Sequence, residues 1–106
     1  MKIGAGLMVI TMLAATAVTT AFAQNSGEAT YKAKCQSCHG AEGAPNPGIA
    51  KTMGVKPVSD PSVKALSEAQ MITDTANGKG KMPAFKGKIT DAQIKDSVNY
   101  FRSLAK

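Results

Sequence analysis

Past an apolar leader the chain reads as an all-α domain, and three observations carry that reading. No β-branched run of strand length occurs after residue 23. Three segments instead open on helix-capping residues and place apolar side chains at helical spacing. The stretches between them are dense in glycine and proline, which interrupt regular structure.

Residues 1–23 have the pattern of a secretory signal peptide. Lys2 provides a minimal positive start, Ile3 to Val18 is apolar, and Ala21-Phe22-Ala23 offers a small-residue cleavage site before Gln24. An uncleaved anchor is the rival reading, because no charge falls between Lys2 and Glu28. The small residues before Gln24 favour cleavage, and the leader has no cysteine to take a lipid. Export to the periplasm is therefore expected. Residues 24–106 remain as one domain of 83 residues, short for a self-sufficient core and suited to folding around a ligand.

The first helix is expected over about Gly27–Ser37, opened by a capping-box-like Asn25-Ser26-Gly27-Glu28. Gly40 and Gly43 then let the chain turn away. Between Ala44 and Pro61, four prolines and two glycines predict an irregular loop along one edge of a ligand. The middle helix spans Ser67–Ala76, with Ser67 and Gln70 as its capping box and Asn77-Gly78 as its end. Thr90-Asp91-Ala92-Gln93 caps the last helix, where Ile94, Val98, Phe101 and Leu104 or Ala105 form one core-facing stripe.

Chemistry concentrates in Cys35-Gln36-Ser37-Cys38-His39. At this C-x-x-C-H spacing two thiols can each bond a haem vinyl group as a thioether beside an imidazole that reaches the iron. A thioredoxin-like site would belong to a βαβ context that the chain lacks. A closed zinc site would need a further Cys or His, and there is none. A structural disulfide over three residues would close too small a loop to add much stability. One covalent haem c is thus the expected cofactor.

Three methionines outside the leader compete for the second axial position on the iron. Met71 lies in the middle helix, where filling the core suits it better, and Met53 lies in the irregular loop. Met82 follows the flexible Gly78-Lys79-Gly80-Lys81 and precedes Pro83, a placement that holds a thioether outward from a loop. His39 and Met82 together would close the iron to other ligands and suit a one-electron carrier rather than an enzyme. If Met82 is absent or displaceable, the same site would bind gases or peroxide. Thiol–disulfide exchange at Cys35 and Cys38 would require no haem at all.

After residue 23, 12 basic residues face 7 acidic ones, a net charge of +5. The lysines are dispersed without an aromatic-interleaved tract, which speaks against nucleic acid. They suit steering toward redox proteins with acidic docking surfaces, the chain itself being a monomer.

These parts, in the order helix, C-x-x-C-H, loop, Met82-Pro83-Ala84-Phe85, terminal helix, resemble the small class I c-type cytochromes of bacteria. The resemblance runs from Gly27 to Leu104 and implies a cytochrome c fold, three main helices wrapped around one covalent haem. It implies that Gly27 and Tyr31 pack against Tyr100 of the last helix. It also implies that a proline carbonyl orients His39 by accepting from its second ring nitrogen, Pro47 ahead of Pro45. Ser97 departs from the family's apolar residue, predicting looser or shifted packing of the terminal helices. With no tryptophan in the chain, Lys56, Lys79 and Arg102 are the candidates for the haem propionates.

Overall fold

The structure is a computed structural model that describes Gly4, Gly6 and residues 19–105. Of the expected signal peptide, residues 1–18 lie outside the described residues apart from the two glycines, and 19–23 begin the first helix. Among the described residues six helices follow one another: α1 (Thr19–Lys34), α2 (Gln36–His39), α3 (Pro47–Met53), α4 (Pro61–Lys64), α5 (Glu68–Asn77) and α6 (Asp91–Ser103). Among the described residues only two isolated bridges, Lys79 with Met82 and Lys86 with Ile89, stand outside helices and turns as extended pairing. No described helix is long and apolar enough to cross a membrane.

The core is the crossing of α1 and α6. Gly27 makes it possible, since a Cβ there would fall on the main chain of Asp96, 2.9 Å from its carbonyl carbon. One turn further along α1, Tyr31 is 1% exposed, its ring 5.1 Å from Tyr100 and 6.1 Å from Phe101 between centroids. Ile94 and Val98 complete the buried face of α6, as the stripe predicts. Of the looser or shifted packing expected at Ser97, no looseness is seen: Ser97 is only 2% exposed and donates its hydroxyl to Ile94 O at 2.9 Å, so its polarity is satisfied within its own helix.

Three other expectations change. α1 starts at Thr19, so Asn25-Ser26-Gly27-Glu28 lies inside a helix and caps nothing. The 44–61 stretch is not irregular: Asn46 caps α3 and Asp60 caps α4, each with proline at the first helical position. Proline costs nothing there, because that N–H would be unpaired in any helix. At α5, Ser67 accepts from Gln70 N at 3.1 Å, but the Gln70 side chain reaches forward to Asp74, leaving half of the capping box. The full box forms at α6, where Thr90 and Gln93 exchange bonds of 3.1 and 2.8 Å.

Candidate functional site

α1 ends at Lys34, and the C-x-x-C-H residues form a turn of their own. Cys35 caps α2 with φ −118° and ψ −35°, its N–H donating back to Tyr31 O at 2.8 Å. The Cys38 and His39 amides both donate to Cys35 O, at 3.2 and 3.0 Å. One helical turn therefore carries both sulfurs and the imidazole. Gly40, with φ +82°, ends it, and any side chain there would strike the Ala44 carbonyl, 2.6 Å from its carbon.

Cys35, Cys38 and His39 form one wall of a cavity of about 680 Å³, within the size range of cofactor sites. Phe101 closes the wall behind the imidazole, edge-on to His39 at 5.1 Å. Met82 lines the same cavity from the segment after α5. That segment is pinned at both ends. Lys79 and Met82 exchange backbone bonds of 3.1 and 2.9 Å, while Phe85 and Lys86 donate to Thr75 and Ala76 at the end of α5. Lys81 adds a long-range tie, its Nζ donating to Thr52 O in the last turn of α3 at 2.7 Å.

Met53 and Met71 also line the cavity, so all three candidate sulfurs are brought together. Met71 is buried at 9% exposure, in keeping with a core role, whereas Met82 is half-buried on its pinned segment. Lys56 and Lys79 reach the cavity as candidate propionate partners. Arg102 does not: it lies 3.7 Å from Glu68 and borders a separate, smaller recess beside Val58 and Met71. Its place on α6 turns it away from the haem-motif side, which helical spacing alone does not reveal. Lys34 and Lys81, by contrast, line the cavity although the sequence did not single them out.

The electrostatics suit ligation. Burial holds the His39 pKa below the ordinary histidine value, favouring the neutral ring that donates to a metal. Burial likewise pushes the Cys35 thiol up to about 11, partly opposed by the Ser97 hydroxyl and reinforced by Cys38. His39 Nδ1 is buried with no hydrogen-bond partner, so the bond expected from the Pro47 or Pro45 carbonyl is not formed in this structure. Pro47 is instead the exposed first residue of α3. Among the described residues there is no group of three or more His, Cys, Asp or Glu placed to hold a metal ion.

Comparison with known proteins gives a consistent answer. The family described as cytochrome c oxidase, cbb3-type, subunit III matches residues 22–101. Cytochrome c6 of Leptolyngbya boryana is 37% identical over 75 residues, covering 71% of this chain and 85% of that protein. The chain belongs to the small class I c-type cytochromes. Cytochrome c6 of Gloeothece citriformis is also 37% identical, over 78% of this chain and 74% of its own. The solved structure of the KustC0563 c-type cytochrome superposes with a TM-score of 0.68 at 28% identity, covering 76% of this chain and 98% of that one. A c-type cytochrome carries covalent haem c and transfers electrons, and is not an enzyme. The residues fit that group: an apolar cavity of suitable volume, with C-x-x-C-H on one wall and three thioethers on the others.

Proposed function

We propose that this cytochrome is a diffusible one-electron carrier in which Cys35 and Cys38 hold the haem by thioether bonds and His39 and Met82 are the axial ligands. The observation that carries the reading is the convergence of the α2 turn and the pinned Met82 segment on one cavity. When bound, the haem supplies an iron that changes by a single electron. His39 contributes a neutral imidazole, and Met82 a soft sulfur that favours the ferrous state and raises the reduction potential. The backbone bonds of Lys79 and Met82, with those of Phe85 and Lys86 to α5, hold the segment that carries that sulfur. Apolar groups, Phe101 and Val98 among them, keep water from that face of the cavity.

Lys34, Lys56, Lys79 and Lys81 border the cavity; among the described residues Lys79 alone of the four makes an ion pair, 3.7 Å from Asp74. Such a basic rim steers a partner with an acidic docking surface toward the haem edge, and association should weaken as salt screens it. The protein acts as a monomer in the periplasm after removal of residues 1–23, passing electrons between membrane or periplasmic redox proteins.

The test is the absorption spectrum of the exported holoprotein in both oxidation states. A weak methionine-to-ferric-iron band that disappears in Met82→Ala supports the carrier with a closed iron. A wild-type spectrum without that band, together with ready binding of carbon monoxide by the ferrous form, would replace it with a gas- or peroxide-binding site.

A further inference from the structure

Tyr31 meets both ends of the haem-attachment turn. Its carbonyl accepts from Cys35 N at 2.8 Å where the turn begins, and its phenol donates to Gly40 O at 2.5 Å, one residue past His39. The ring is fully enclosed and stacks on Phe101 at 6.1 Å, with 23° between the planes. Phe101 in turn meets the His39 ring edge-on at 5.1 Å. The His39 ring is thus reached from Tyr31 by packing through Phe101 and by the main chain of the turn that both ends of Tyr31 hold.

We propose that Tyr31 is a positioning residue for the haem-ligating imidazole: it clamps the Cys35–Gly40 turn through both its main chain and its hydroxyl, and sets the His39 ring through Phe101. Gly40 closes the turn at φ +82°, a conformation that glycine adopts without the steric cost other residues carry, so its carbonyl is the point at which the phenol holds the turn's end. Burial, with smaller contributions from Cys35 and Tyr100, pushes the Tyr31 phenol well above the ordinary tyrosine range. The hydroxyl therefore stays protonated and keeps donating at any pH the protein meets. The orientation of an axial imidazole and the firmness of its backbone tune the iron it binds, which gives the clamp a role in electron transfer.

This inference rests on the reading of His39 as an axial ligand, and the experiment separates the two. Tyr31→Phe keeps the ring and removes only the hydroxyl. In the holoprotein, amide hydrogen exchange at Cys38, His39 and Gly40 should quicken about fivefold, the equivalent of one ordinary net hydrogen bond, while α6 amides keep their rates. The iron-shifted ring resonances of His39 should move in the ferric NMR spectrum. Phe101→Leu should move the same resonances, and the double variant should be non-additive with the singles. Unchanged His39 resonances in Tyr31→Phe, or exchange that quickens equally throughout the molecule, would overturn the clamp. Wild-type protein without any iron-shifted histidine resonances would instead overturn the ligand assignment.

Discussion

Gly27→Ala should destabilise this protein although alanine is the better helix former. On an isolated helix the exchange would gain about 1 kcal/mol. Here the added Cβ would fall on the carbonyl of Asp96, 2.9 Å from its carbon, and both atoms belong to main chain that no rotamer change can move. Restoring ordinary contact requires α1 and α6 to separate by about an ångström, which also opens the Tyr31–Tyr100 contact. Overpacking of this kind typically costs about 1–3 kcal/mol, and forcing apart two backbones belongs at the upper end. After the propensity gain, a net loss of about 1–2 kcal/mol remains, or a fall in Tm of roughly 5–15 °C for a domain of this size. Thermal unfolding of the holoprotein, followed by circular dichroism, measures it. Gly48→Ala is the control, since its Cβ would meet only Asn46 Oδ1 at 3.4 Å, and it should be neutral or mildly stabilising. A Tm that rises in Gly27→Ala would refute the close helix crossing on which the core depends.

Lys81→Ala should make Met82 easier to displace by added imidazole, by several-fold, because the tie to Thr52 O is lost; Lys86→Ala removes the same charge without that bond and should match wild type. Thr90→Ala should cost about 1 kcal/mol, read as a lower denaturant midpoint, by removing the hydroxyl that accepts from Gln93 N in the α6 capping box. The Asp60 carboxyl, held down by the hydroxyl and amide of Ser62, should titrate below the ordinary 3.8 in NMR. Its depressed pKa means that the α4 cap is fully formed above the ordinary aspartate range and is lost as pH falls through the lowered value. Asp60→Asn should remove that acid dependence.

What could be read from the sequence was local. The Thr90–Gln93 box, the Ser67 cap and the Ile94–Val98 stripe depend on residues at most four apart, and the C-x-x-C-H turn needs only i, i+3 and i+4 spacing to bring two sulfurs and an imidazole together. In the 44–61 stretch the number of prolines predicts irregular backbone, but the position of each decides the structure. Asn46-Pro47 and Asp60-Pro61 start helices, because a capping side chain followed by a residue without an N–H suits a first turn.

The sequence by itself therefore determined the helical class, the attachment turn and the kind of cofactor it can hold, since short-range hydrogen bonding and covalent spacing fix these wherever the turn sits. Tertiary structure alone decided which distant groups meet. Lys81 reaches Thr52 at the end of α3, Arg102 lies toward Glu68 and does not line the cavity, and Ser97 is buried with its hydroxyl satisfied. Tyr31 was legible as a packing residue, but its bond to Gly40 was not, because the direction of a hydroxyl depends on how α1 and α2 are angled at Cys35. Contacts of this sort follow from the relative orientation of whole elements, set by the close approach at Gly27 and by apolar burial, which no residue spacing specifies.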